Sequence, residues 1–308
     1  MSSFSVSLSP HVRDSASTRR IMLQVCLALL PALAFGVWAF GLYALLVVAL
    51  SVASAVGTEA LVQRCLKRPI TISDGSAAVT GLLLGLTLPP EAPWYVPVFG
   101  AVFAIFVAKQ VFGGLGDNFV NPALAGRAFL LACWPVEMTS YPNPFAVDAL
   151  TSATPLADAG FAQSAAALQN AYLGLVPGTI GETCKLALLL GAAYLLLRRV
   201  IDWRIPVAYL GSLALLSWAF GENGLLAIGL GGAILGAFFM ATDYVTSPIT
   251  PWGKLVYGVG CGLITFAIRT WGAYPEGVTY AILLMNVAAP LIDRGFRPRK
   301  YGEVKEHA

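Results

Sequence analysis

Two polar stretches stand out in a chain that is otherwise close to hydrocarbon. The first is Asp148-Ala-Leu-Thr151-Ser152-Ala153-Thr154-Pro155. Small side chains flank the Thr154 hydroxyl, so a bulky modifying enzyme can approach it, and Asp148 is placed to orient it or to hold the metal of an incoming nucleotide. A phosphoester formed there would tether a flavin through its phosphate and leave the ring free. Asp, Ser, Thr and Pro are equally what an extracellular loop contains, and from the residues alone that plainer reading is strong. The second stretch is Gly113-Gly-Leu-Gly-Asp117-Asn118-Phe119-Val-Asn121-Pro122-Ala-Leu-Ala-Gly-Arg127. Asn121 before Pro122 fits a helix N-cap and first-turn proline, with backbone N–H groups facing Asn118. Carboxamides and N–H groups at membrane depth can hydrogen-bond a planar polar ring such as an isoalloxazine. A helix cap and nothing more is the alternative, and the spacing leaves both open. A water channel would need two Asn-Pro-Ala copies, and the second half offers only Asn286-Val-Ala-Ala-Pro290.

The elements that must hold these stretches are membrane-spanning. Of 308 residues 57% are hydrophobic and 11% charged, against roughly 25% charged in soluble domains, and the mean hydropathy is +0.75. A net charge of +3 is too small to argue for nucleic acid. Cys26, Cys65, Cys133, Cys184 and Cys261 are scattered without a CxxC or a Cys/His cluster, which argues against a protein-ligated iron-sulfur or zinc centre. Cys133 and Cys184 both fall near outer ends of predicted spans, which leaves a disulfide open. The first apolar run lacks a small-residue cleavage site and leads straight into another, so no cleavable signal peptide is expected.

Ten spans are expected, at about 21–40, 42–62, 77–88, 95–112, 121–134, 185–197, 205–220, 225–241, 255–271 and 278–292. Several fall short of the ~20 residues that cross a bilayer and read as broken or half helices. The expected fold is an all-α bundle: a polar segment 1–20, a first membrane half 21–134, an extracytoplasmic loop 135–183, a second half 184–293 and a basic tail 294–308. Lys and Arg collect near cytoplasmic span ends. Arg64, Lys67, Arg68, Arg198, Arg199, Arg204, Lys254 and the tail then put both termini in the cytoplasm and the Thr154 loop outside. Five spans per half would give two inverted repeats; the sequence supports this faintly, through Lys109 and Arg269 at similar places in spans four and nine. Glu59, Asp74, Lys109, Arg127, Asp243 and Arg269 lie within or beside spans. End-of-helix snorkelling is the default expectation for them, with Glu59, Lys109 and Asp243 as weak candidates for an ion path. Glu182 and Lys185 can pair at i, i+3.

Both polar stretches resemble signatures of one family, the RnfD and NqrB membrane subunits of ion-translocating oxidoreductases. The family's attachment signature runs Asp-x-x-Ser/Thr-Gly-Ala-Thr; here it reads Asp148 to Thr154, with Ser152 in place of the usual glycine. The segment from Gly113 to Phe129 matches the other signature nearly residue for residue, and Tyr274-Pro-Glu-Gly277, Ala281 to Pro290 and Asp293 also look like the RnfD branch.

The resemblance implies FMN bound covalently to Thr154, with Asp148 and Thr151 recognised by a flavin transferase and Ser152 and Ala153 completing the motif. It implies a second, non-covalent flavin, riboflavin, beside Asn118 and Asn121, with Phe119 and Arg127 in the same signature. The implied role is electron transfer in a multisubunit Rnf complex of the bacterial inner membrane, coupling ferredoxin:NAD+ oxidoreduction to Na+ or H+ translocation. Expected partners are the other Rnf subunits, RnfA, RnfB, RnfC, RnfE and RnfG, with RnfG meeting this chain on the outer face, and membrane lipid. With no Rossmann GxGxxG here, NAD and ferredoxin would bind elsewhere. An NqrB-like subunit of an NADH:quinone oxidoreductase and a small-solute channel or transporter are the alternatives.

Overall fold

The computed structural model describes residues 17–145, 166–272 and 277–296, together with the backbone of 151–152. Ser17 caps α1 (Thr18–Phe40), its Oγ accepting from the Arg20 N–H at 3.3 Å. Gly41, at φ +83°, then turns the chain directly into α2 (Leu42–Cys65). A short 3-10 turn (Ile72–Asp74) leads to α3 (Ser76–Leu86), and α4 (Tyr95–Ile105) continues as a π turn (Phe106–Gln110). After α5 (Pro122–Cys133) come α6 (Pro135–Met138), strands β1 (Tyr141–Pro142) and β2 (Thr151–Ser152), and α7 (Ala167–Leu173). The second half holds α8 (Lys185–Leu197), α9 (Arg204–Ala219), α10 (Gly224–Gly229) and α11 (Ala233–Leu235), which passes into a π turn (Gly236–Met240). It closes with α12 (Pro251–Trp271) and α13 (Val278–Gly295).

Each of the ten expected spans is helical, and the fold is all-α apart from one two-residue strand pair among the described residues. By length and apolarity α1, α2 and α12 can cross a membrane. The 11 residues of α3 reach only about 17 Å at 1.5 Å per residue, so α3 is a half-helix. The eighth span is not the continuous helix expected from 225 to 241. It breaks at Leu230–Gly232, where glycines at 229, 231 and 232 cluster and Gly231 takes φ +63°.

The loop 135–183 also departs from its non-helical expectation. Besides α6 and α7 it contains a buried stretch around Thr179 and Ile180, whose backbone closes the broken end of α3: Ile180 N–H donates to Leu88 O at 3.1 Å and Gly181 N–H to Leu86 O at 2.8 Å. Irregular backbone at membrane depth is stable only with such partners.

Packing follows the same order in both halves. In the first, α2 packs on α3 and α4, and α4 on α5; in the second, α9 packs on α10 and α12, and α12 on α13. Across the halves α1 meets α8 and α5 meets α13. Lipid offers helices no hydrophobic drive to associate, so small residues must let backbones approach. Gly81 and Gly85 do so for α3 on α2; a Cβ on Gly81 would sit 2.7 Å from Val52 Cα. Gly258 and Gly262 do the same for α12 on α9. Outward faces carry exposed Leu190, Leu215, Leu284 and Leu291. Exposed tryptophans mark both ends, Trp38, Trp94, Trp218 and Trp271 at one and Trp203 and Trp252 at the other, as in membrane-interface belts.

Candidate cofactor site

One end of the bundle gathers the basic residues and a cleft. The start of α1, the start of α3, the loop before α5, the end of α8 and the segment 238–245 wall a space of about 750 Å³ counted to its open mouth. Ser76, Thr80, Lys109, Asn118, Thr242 and Asp243 supply its polar groups, and Val25, Leu83, Phe238 and Phe239 are among its apolar walls. Mostly apolar walls with a few convergent polar groups suit a planar ring with a hydrogen-bonding edge.

Asn118 is 5% exposed and lines this cleft, its Nδ2 donating to Val120 O at 3.1 Å. Asn121 is the expected N-cap of α5, with Pro122 in the first turn, but its carboxamide is occupied. Oδ1 accepts from Ala123 N (3.0 Å) and Leu124 N (3.4 Å), and Nδ2 donates to Met240 O at 3.2 Å. The N–H groups expected to face Asn118 are thus satisfied by the cap itself, and Asn121 ties the first half to the π turn after α11. Asn286 adds to the tie. With its carboxamide turned to satisfy both ends, its oxygen accepts from Asn121 N at 3.0 Å, and it meets the Tyr257 hydroxyl at 2.6 Å. Phe119 is outside the cleft lining and half exposed, edge-on to Phe112 at 4.7 Å. Arg127, 2% exposed, lines a separate small cavity with Thr87, Glu182 and Thr279.

Snorkelling does not describe the charges in this half. Lys109 Nζ meets both Glu59 oxygens at 2.9 and 3.1 Å and Ser76 Oγ at 2.6 Å, and Gln110 Nε2 donates to Glu59 at 2.8 Å. Glu59 and Lys109 are each 1% exposed. Buried charges persist when paired and hydrogen-bonded, and both conditions hold here. Asp74, just before the Gly75 cap of α3, accepts from Ser76 N and Oγ at 2.8 and 2.7 Å. Arg269 donates to Ala227 O and Leu230 O at 2.6 and 3.0 Å, so it satisfies carbonyls freed by the α10–α11 break. Lys185 donates to the carbonyls of Glu182 and Gly231, which goes beyond the i, i+3 pairing expected of it. All five cysteines are free thiols, so Cys133 and Cys184 are not bridged.

The sequence marked Lys109 and Asp243 as charges in spans and weak candidates for an ion path; their place in the Asn118 cleft depends on folding. Ser76 and Thr80 also line the cleft and were not among the residues the sequence singled out.

Thr151 and Ser152 of the other polar stretch lie at the opposite end. β2 pairs antiparallel with β1, Tyr141 opposite Ser152 and Pro142 opposite Thr151. Near β1, Phe145 N–H donates to Ala39 O at 3.0 Å, at the C-terminal end of α1. Asp148, Ala153 and Thr154 lie outside the described residues.

Fold and site together define a multi-pass helical membrane protein with broken spans and, at one end, a largely apolar cleft that carries a few polar groups. Residues 5–302 match the model of the NQR2, RnfD, RnfE family, and the chain belongs to that family. It is 53% identical over 304 residues to the D subunit of the Na(+)-translocating ferredoxin:NAD(+) oxidoreductase complex of Acetobacterium woodii, covering 97% of this chain and 96% of that one. It is 45% identical to the D subunit of the proton-translocating ferredoxin:NAD(+) oxidoreductase complex of Clostridium ljungdahlii, covering 97% and 96%. To the D subunit of the ion-translocating oxidoreductase complex of Stutzerimonas stutzeri it is 43% identical, covering 93% of each.

Proposed function

We propose that this chain is the D-type membrane subunit of an Rnf-type ion-translocating ferredoxin:NAD+ oxidoreductase and carries electrons between the two faces of the membrane. Thr154 is the FMN acceptor on the non-cytoplasmic side, and the Asn118 cleft takes a second flavin, riboflavin, near the cytoplasmic side. Bound flavins would supply one- and two-electron redox chemistry that no side chain here provides. The chain's own residues hold and orient them. Asn118 and Thr242 offer hydrogen-bonding groups to a ring edge, while Phe238 and Phe239 line the space with apolar surface. NAD and ferredoxin bind on other Rnf subunits, and RnfG exchanges electrons with this chain at the outer face.

The observation that carries this reading is that Thr151 and Ser152, in the β1–β2 pair, lie beside the end of α1, while the Asn118 cleft lies beside its start. A carrier chain across a bilayer needs that separation. The relatives' names support the complex and its reaction, and the concentration of exposed Arg and Lys at the cleft end supports the orientation.

The test is intact mass and peptide mapping of the membrane-expressed protein made with its flavin transferase. An FMN-sized adduct is expected on the peptide containing Thr154 and absent from Thr154→Ala. An unmodified wild-type peptide under those conditions would overturn the assignment.

A further inference from the structure

A second cleft opens at the basic end, outside the flavin cleft and sharing with it the wall formed by Val200, Ile201, Thr242 and Tyr244. Its volume, counted to its open mouth in the same way, is about 1230 Å³, and it lies where the end of α8 and the starts of α9 and α12 come together. Three cations line it, Arg199, Arg204 and Lys254; among the described residues that line it, Asp202 is the one acid. A single oxygen of Asp202 takes both Arg204 Nη1 (2.9 Å) and Lys254 Nζ (3.0 Å), and its other oxygen takes Arg204 N at 3.1 Å. The carboxylate therefore fixes two cations side by side yet leaves the cleft positive by two charges. Arg199 is exposed, in the left-handed conformation (φ +55°) just past the end of α8. Glycine fits that position with least strain, but here it places a guanidinium on the rim.

The surroundings decide what kind of anion fits. Leu197, next in sequence to the lining residue Leu196, is 84% exposed, and Trp203 of the lining is exposed; Ile249, 81% exposed, and Trp252 lie in sequence between the lining residues Ser247 and Lys254. The Arg204 guanidinium lies over the Trp203 ring at 5.5 Å. A cationic recess thus borders apolar surface that faces acyl chains, at the depth where amphipathic tryptophans settle. Basic pockets between helix ends at a membrane surface bind anionic headgroups. We propose that this cleft binds one anionic phospholipid, its phosphate held by Arg199, Arg204 and Lys254 and its acyl chains lying along Leu197 and Ile249. The site is independent of any flavin.

The experiment uses the intact, membrane-purified complex, stripped of lipid in neutral detergent and titrated with phosphatidylglycerol or with phosphatidylcholine of the same chains, retention being read by native mass spectrometry. A phosphatidylglycerol carrying a photoactivatable headgroup then maps the contact. Wild type is expected to retain phosphatidylglycerol over phosphatidylcholine and to be labelled within residues 196–207. The double variant Arg199→Gln, Lys254→Gln should bind phosphatidylglycerol about 30-fold more weakly, the effect expected of two interfacial cations. The charge-conserving Arg199→Lys, Lys254→Arg variant should recover most of that loss. Asp202→Asn should tighten retention several-fold, an increase that a purely structural Asp202 would not give. The proposal is overturned by any of four results: equal retention of both lipids, a double variant like wild type, displacement of the label by inorganic phosphate, or labelling of the isolated chain but not of the complex. The third would mark a free-anion site and the fourth a surface covered by another subunit.

Discussion

Removing the Lys109 ammonium would leave the Glu59 carboxylate buried beside Gln63 and Gln110 with no cation. Lys109→Met is expected to cost about 3–5 kcal/mol, whereas Glu59→Gln with Lys109→Met should recover most of it; thermal unfolding in detergent of the two singles and the double checks the cycle. The two asparagines separate in the same way. On the proposed reading, Asn118→Leu should remove a non-covalent flavin from the purified protein while an FMN adduct on Thr154 remains, read as the loss of acid-extractable flavin. Asn121→Ala should lower stability by about 1 kcal/mol or more as a lost cap, since its carboxamide also holds Met240 O. The cap was legible because Asn and Pro are adjacent in sequence. The bond to Met240 was not, because its partner is 119 residues away. Glu59 and Lys109, separated by 50 positions, were illegible as a pair for the same reason.

Among the elements, the break between α10 and α11 shows how a half-helix is kept in a bilayer. Its freed carbonyls are taken by Arg269 from α12 and Lys185 from α8. Arg269→Met should uncover two of them, at about 1–3 kcal/mol each, and hydrogen exchange should rise within residues 224–240 and little elsewhere. The glycines at 229, 231 and 232 were visible in the sequence, but periodicity carries a run of apolar residues straight through them. Only the arginine near the far end of α12 and the lysine at the start of α8 show that the break is stabilised. The loop between α8 and α9 offers a check on charge. Burial alone would raise the Asp202 carboxyl, but the Arg204 backbone bond, the Lys254 bond and charge, and the Arg204 guanidinium outweigh it and hold it below the ordinary carboxylate range. A depressed folded value means that its stabilising contribution is complete above the unfolded value near 3.9 and is lost as pH falls through the folded one. The ties to Arg204 and Lys254, beside Arg199 and Tyr244, should therefore be flat from about pH 5 to 8; exchange rates of residues 198–207 corrected for intrinsic pH dependence would show it.

At the scale of the molecule, two flavins held as proposed, at opposite ends, would act in series. Thr154→Ala and Asn118→Leu should each abolish electron passage through the assembled complex, and the double variant should be no worse than either, measured as ferredoxin-dependent NAD+ reduction in membranes. The relatives named for Na+ and for protons are 53% and 45% identical to this chain, so a change of coupling ion is compatible with one scaffold. Composition made the class and the span positions readable, because the bilayer imposes length and apolarity on every crossing. The order of helix contacts depends on glycine pairs such as Gly81 and Gly85 that look unremarkable until a neighbour is known. Gly41 has a consequence for biogenesis. With a single residue between α1 and α2, the two leave the ribosome as one hairpin, and each is long and apolar enough to partition on its own. The stubby third helix is not, and it must wait for the groove that this hairpin supplies, so insertion proceeds in a fixed sequence from the front of the chain.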